Sequence, residues 1–76
     1  MSFRDNNSLE QIGQNIKHYR IERGLTQKQL AEMISCSRNH LQRVETASSK
    51  PTVGLLLDLS EVLNVPVEQL MEIRKK

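Results

Sequence analysis

Residues 25–45, LTQKQLAEMISCSRNHLQRVE, contain two short helical patterns separated by residues that interrupt a helix. Thr26 and Gln29 have the spacing of a capping box, in which two side chains satisfy free backbone N–H groups at a helix start. Ser35 breaks this first pattern, and Ser37 is a favourable N-cap for the second. The stretch therefore predicts two consecutive helices joined by a tight turn.

Three more helices are predicted on either side of this stretch. Their ends are marked by capping residues, glycine and proline: Ser8 with Gln11 to Gly24, Pro51 with Thr52 to Asn64, and Pro66 to Ile73. No segment alternates between apolar and polar residues as a strand does. We expect an all-α, compact five-helix bundle over residues 8–73, between a disordered arm of residues 1–7 and a basic tail of residues 74–76.

Composition limits the kind of protein this can be. A chain of 76 residues forms one small domain, and such a domain buries only about 60% of its unfolded surface, which disfavours a deep active-site cleft. Cys36 is the only cysteine, which excludes an intrachain disulfide and suits a reducing cytoplasm. Neither a signal peptide nor a membrane-spanning run is present. We expect a cytoplasmic protein without a membrane segment.

Charge is distributed unevenly along the chain. Residues 17–50 contain seven Lys and Arg against three Glu, a net charge of +4, whereas residues 51–73 contain four acidic residues and no basic ones, a net charge of −4. This polarity indicates that one part of the surface meets an anion. A chance partition of solvated charges is the alternative.

Residues 12–70 resemble the Cro/phage-repressor type of DNA-binding domain, the XRE family, which is built around a helix-turn-helix. The motifs that carry the resemblance are RIERGLTQKQLAEMI at 20–34, SRNHLQRVE at 37–45 followed by Pro51, and LLLDLSEVLNVPVEQL at 55–70. Their order and spacing make the match specific. Ser35 and Ala47 depart from the family, which usually has glycine there, so both positions are expected to need a positive φ.

The third predicted helix has two different faces. At about 100° per residue, Leu41 and Val44 lie opposite the polar side chains. Arginine pairs with guanine edges and asparagine with adenine edges in the DNA major groove. The resemblance implies that base reading falls to Arg38, Asn39 and Arg43, with Ser37 and Gln42 as lesser candidates. A merely solvated face is the alternative.

The resemblance also implies contacts to the DNA backbone and one internal ion pair. The free N–H groups at the start of the second helix favour a phosphate, although the capping box there could serve stability alone. The predicted phosphate ligands are Thr26 and Gln27, then Thr46 and Lys50, then Lys28 and Tyr19. The family pairs an arginine late in its first helix with the glutamate that ends its recognition helix, which implies a structural ion pair between Arg20 and Glu45.

The last predicted helix is unusually apolar for a short terminal segment. Part of it must complete the core, and the remainder favours a homodimer interface, predicted at Val67, Leu70, Met71 and Ile73. The family commonly dimerises through this region. The alternative is that all these side chains are core.

The expected function is a sequence-specific, double-stranded DNA-binding transcriptional regulator that acts as a homodimer on a pseudo-palindromic operator. Without an attached effector domain, regulation would follow from the protein's own concentration. An antitoxin of a toxin–antitoxin pair and an interaction adaptor that no longer binds DNA are the alternatives. We expect no cofactor and no small-molecule ligand.

Catalysis and metal binding are not predicted. Cys36 and His40 have i, i+4 spacing, so one helix face could bring both towards a metal, but His18 is the only further candidate ligand of these types, and structural zinc needs four ligands. No nucleophile with a base and a third partner is recognisable, and no glycine-rich phosphate loop occurs.

Overall fold

The computed structural model describes residues 6–73, which form a small helical bundle. The helices in this range are α1 (Asn6–Glu22), α2 (Gln27–Met33), α3 (Arg38–Glu45), α4 (Val53–Leu63) and α5 (Val67–Leu70). Residues 6–73 contain no strand, and the all-α, five-helix prediction is confirmed. None of the described helices is long and apolar enough to cross a membrane.

Side-chain caps begin three of the five helices as predicted. The hydroxyls of Thr26, Ser37 and Thr52 each accept a hydrogen bond from the backbone N–H three residues later, at 3.0 Å. The capping box of α2 is complete, because Gln29 Oε1 accepts the N–H of Thr26 at 2.9 Å. Asn64 ends α4 in the left-handed conformation, with φ 56°.

The first helix begins earlier than predicted. Because α1 starts at Asn6, Ser8 lies inside the helix, and the predicted capping box of Ser8 and Gln11 is wrong. Ser8 is buried one turn before Ile12, so a helical backbone is needed there to keep its side chain on the inward face. Residues 6 and 7 thus belong to α1; the rest of the predicted arm and the basic tail lie outside the described residues.

The last helix is shorter than predicted. It is a single turn that ends at Leu70, with Met71 as its C-cap, whereas the sequence predicted a helix to Ile73. The carbonyls of Leu70 and Glu72 accept hydrogen bonds from the side chain of Asn15, a partner that the sequence pattern of the helix itself does not contain.

The core is aliphatic and draws on every helix. Its buried residues are Ile12, Ile16, Leu30, Ala31, Ile34, Leu41, Val44, Leu55, Leu56, Leu59, Leu63, Val65 and Leu70. The central element is α1, which packs on α3, α4 and α5, while α2 packs on α3. A Cβ atom on Gly13 would lie 2.5 Å from the carbonyl oxygen of Glu45 and 2.7 Å from that of Val44. Glycine therefore allows the backbones of α1 and α3 to touch.

Both positions at which the family favours glycine adopt a positive φ. The φ angle is 56° at Ser35, after α2, and 65° at Ala47, after α3. The predicted backbone conformation is confirmed. A side chain in this region costs roughly 1–2 kcal/mol, and the tight turns on both sides of α3 retain that strain.

Candidate nucleic-acid interface

Helix α3 divides into a buried and an exposed face. Leu41, Val44 and Glu45 are buried on the side toward α1 and α2. The other side presents four exposed polar side chains: Arg38, Asn39, Gln42 and Arg43. This division agrees with the helical spacing of the sequence. The guanidinium and amide groups of the exposed face are left uncovered by the part of the chain that the structure describes.

An internal ion pair holds α3 in place. Arg20 Nε donates to Glu45 Oε2 at 2.7 Å, and Arg20 Nη2 donates to Glu45 Oε1 at 3.2 Å. The Glu45 side chain is only 1% exposed and that of Arg20 10%. Arg20 Nη1 also donates to the carbonyl of Leu25 at 2.8 Å. The ion pair implied by the resemblance is thus present, and it joins α1, the turn before α2, and α3.

Gln27 belongs to the same network, which sequence reasoning did not anticipate. Its Nε2 donates to Glu45 Oε1 at 3.0 Å, so the first residue of α2 is tied to the last residue of α3. The sequence placed Gln27 among the phosphate ligands. In this structure its side-chain amide is already engaged within the protein.

The starts of α2 and α3 border one open hollow of about 460 Å³. Thr26, Gln27 and Lys28 line it from α2, and Arg38 lines it from α3. Lys28, a predicted phosphate ligand, and Arg38, a predicted base-reading residue, therefore share one depression, although they are ten residues apart in sequence. The hollow is open to solvent.

Beyond α3, Thr46 and Lys50 are both exposed. The hydroxyl of Thr46 donates to the carbonyl of Gln42 at 2.9 Å and lies 3.2 Å from the hydroxyl of Ser48. The hydroxyl of Ser37, at the other end of α3, accepts the N–H of His40. Both hydroxyls support the ends of α3 and remain at the surface.

Two predicted site residues are placed elsewhere by the fold. Tyr19 donates its hydroxyl to Gln69 Oε1 of α5 at 3.4 Å. Because neighbouring residues on a helix point about 100° apart, Tyr19 faces α5 when Arg20 faces α3, and its role as a phosphate ligand stays a prediction. Leu70 is fully buried in its own core, so its prediction as an interface residue is wrong.

Other apolar residues near the C-terminal end remain partly accessible. Val67, Met71 and Ile73 are half-buried, and Met71 and Ile73 pack against the core. Two apolar side chains of α4, Val53 and Leu57, are 74% and 56% exposed. Their exposure was not predicted from the sequence. They lie one turn apart on the outside of α4.

Asn15 is the buried polar residue that the sequence reasoning overlooked. It is 2% exposed, and its Nδ2 donates to the carbonyl of Leu70 at 2.9 Å and to that of Glu72 at 2.8 Å. The signal was available in the sequence, since an asparagine beside Ile16, on the apolar face of a helix, requires buried hydrogen-bond partners.

Neither a metal site nor an activated cysteine is found in the described part of the chain. In residues 6–73, no three His, Cys, Asp or Glu side chains lie close enough to share a metal ion. Cys36 is half-buried, and its Sγ donates to the carbonyl of Ser37 at 3.1 Å. Burial raises the pKa of the Cys36 thiol, and a backbone hydrogen bond to Leu41 opposes this shift.

The sequence pattern of a helix-turn-helix family matches residues 16–70. The chain belongs to this helix-turn-helix family. It is 36% identical to the transcriptional regulator SinR of Bacillus subtilis over 62 residues, which cover 80% of this chain and 56% of SinR. It is 32% identical to the control protein C.SmaI of Serratia marcescens over 62 residues, which cover 82% of this chain and 74% of that protein.

A solved structure of SinR in complex with DNA has the same fold. It superimposes with a TM-score of 0.76 at 35% identity, covering 80% of this chain and 98% of that one. The resemblance to the Cro/phage-repressor type is confirmed, and this family is one of DNA-binding transcriptional regulators and not of enzymes. The chain spans about half the length of several curated relatives, SinR among them.

Proposed function

We propose that this chain is a sequence-specific, double-stranded DNA-binding transcriptional regulator that acts as a homodimer on a pseudo-palindromic operator. The observation that carries the proposal is the exposed donor face of α3, held rigidly from behind by the network of Arg20, Gln27 and Glu45. The structure of SinR with DNA, which has the same fold, supports the choice of DNA as the partner.

The exposed face of α3 matches the chemistry of base edges in the major groove. Arg38 and Arg43 can each donate two hydrogen bonds to guanine O6 and N7, and Asn39 can pair with adenine N6 and N7. Ser37 and Gln42 flank these three residues. Each bidentate pair contributes about 1–3 kcal/mol of discrimination against a wrong base.

Phosphate contacts would hold the helix in register without reading sequence. Thr26 and Lys28 lie at the start of α2, where backbone N–H groups and the helix dipole favour an anion. Thr46 and Lys50 lie beyond the end of α3. Burial of Glu45 against Arg20 keeps a negative charge away from the phosphates on this side. The side-chain amide of Gln27 carries two N–H donors, so one could donate to a phosphate while the other stays on Glu45.

Dimerisation would arise from the half-buried apolar residues around the end of α5. Val67, Met71 and Ile73 remain available after Leu70 has been assigned to the core. A two-fold axis in this region would present two copies of α3 to successive major grooves, about 34 Å apart. An operator read in this way has two inverted half-sites.

Selection of bound sequences from random duplexes, followed by footprinting, tests the proposal. We expect an inverted repeat and protection of two half-sites. Affinity should fall steeply with salt, because the slope of log K against the logarithm of the salt concentration is about −0.9 for each phosphate neutralised. With Lys28 and Lys50 on each of two protomers, four contacts give a slope of about −4. If the folded protein binds no duplex at low salt, the proposal is wrong.

A further inference from the structure

Helix α1 contacts both the proposed DNA-reading helix and the proposed dimer region, on opposite sides. Gly13 and Arg20 are seven residues apart and share one face of α1, which meets the end of α3. Asn15 is two residues from Gly13, about 200° around the helix. Its side chain meets the end of α5. A single rigid helix therefore connects the two surfaces.

The contact on the α5 side is specific and buried. Besides its bonds to Leu70 and Glu72, Asn15 Nδ2 lies 3.5 Å from the carbonyl of Gln69. Gln11 Nε2 donates to Asn15 Oδ1 at 3.0 Å, which fixes the orientation of the amide. Asn15 thus binds the main chain on both sides of Met71, the C-cap residue at which α5 ends.

We propose that Asn15 is a positioning residue that sets the distance between the two operator half-sites. It fixes Met71 and Ile73, residues of the proposed dimer interface, to the same helix that supports α3. This inference rests on the proposed homodimer. Asn15 would touch neither DNA nor the second protomer; it acts through the segment of residues 70–73.

The reason lies in the geometry of B-DNA. One added base pair moves a half-site by about 3.4 Å and rotates it by about 34° around the helix axis. A dimer whose two reading helices are rigidly joined cannot follow this change without losing base contacts. A dimer with a loose joint can follow it, and it should lose its preference for one spacing while each half-site is still read correctly.

The experiment measures Kd by fluorescence anisotropy on duplexes whose half-sites are moved apart or together by one and two base pairs. We expect wild-type protein to bind at least about tenfold more weakly for a one-base-pair change, the cost of about one base contact. Asn15→Ala should reduce this discrimination to less than about threefold, and Gln11→Ala should give an intermediate value.

A control variant separates positioning from general loss of stability. Ile34→Val removes a methylene from the core beside α2, remote from the residue 70–73 segment, and should keep the wild-type spacing preference. Circular dichroism checks folding, and Gln11→Ala, on a half-buried residue, carries the test if Asn15→Ala does not fold.

Two results would overturn the inference while the proposed homodimer stands. In the first, Asn15→Ala forms a dimer that keeps the wild-type spacing preference; where Asn15→Ala does not fold, the same result for Gln11→Ala counts. In the second, Ile34→Val loses the spacing preference as much as Asn15→Ala does. If wild-type protein has no spacing preference and footprints a single half-site, the homodimer is wrong and the inference falls with it. Base preference within one half-site, measured on the same duplexes, tests the reading of DNA independently of both.

Discussion

Removal of the Glu45 carboxylate should destabilise the fold before it affects DNA binding. Both members of the Arg20–Glu45 pair are largely buried, with side chains 10% and 1% exposed. Glu45→Ala leaves the guanidinium of Arg20 buried without its counter-ion and removes the acceptor of Gln27. Breaking a buried pair from one side costs about 3–5 kcal/mol. In a domain of this size each kcal/mol lowers Tm by about 4–8 °C, so the lower limits predict a fall of at least about 12 °C.

Thermal and urea unfolding followed by circular dichroism measure this loss, and DNA affinity is then compared at a temperature at which both proteins are folded. Glu45→Gln, which keeps the volume and one acceptor oxygen, should lose less. The double variant Arg20→Met/Glu45→Leu removes both charges and should recover much of the stability, because an apolar pair avoids the cost of burying charge. A fall in Tm below about 4 °C for Glu45→Ala, equivalent to less than about 1 kcal/mol, or a double variant no more stable than the single one, would refute the reasoning.

Three further predictions concern the backbone contacts and the thiol. Gly13→Ala places a methyl group 2.5 Å from the carbonyl oxygen of Glu45, so α3 must move; we expect a lower Tm and weaker DNA binding, and an unchanged Tm would contradict the close contact. Ala47→Gly relieves a side chain at φ 65° and should raise stability by about 0.5–1 kcal/mol in urea unfolding; a loss of stability would show that the residue is unstrained. Because burial raises the pKa of Cys36, less thiolate is present at neutral pH in the folded chain, and iodoacetamide should alkylate it more slowly than the urea-unfolded chain; equal rates would argue against the shift.

Features set by neighbouring residues could be predicted from the sequence. The caps at Thr26, Ser37 and Thr52 depend on atoms within one turn of each residue, so residue type and spacing are sufficient. The two faces of α3 follow from its period. The positive φ at Ala47 came from the family resemblance, since nothing in the local residue types requires it.

Features that depend on tertiary packing could not be predicted in the same way. Asn15 binds carbonyls 55 and 57 residues later, and Gln27 binds Glu45 18 residues later. Apolar periodicity in α5 identified a buried face but did not divide it between core and interface, so Leu70 was assigned incorrectly. The contact of Tyr19 with α5 could not be predicted because the sequence alone did not show which sides of α1 meet α3 and α5.

The most direct test of the central claim compares the base preferences of wild-type, Arg43→Ala and Lys50→Ala proteins by selection from the same random duplex library. If the exposed face of α3 reads bases, Arg43→Ala should lose about 1–3 kcal/mol on the preferred site and relax the choice of base at one position in each half-site. Lys50→Ala should weaken binding to all sequences by a similar factor and leave the selected sequence unchanged. An Arg43→Ala protein that keeps the wild-type preference at every position, with uniformly reduced affinity, would show that Arg43 contacts the DNA backbone and that sequence is read elsewhere.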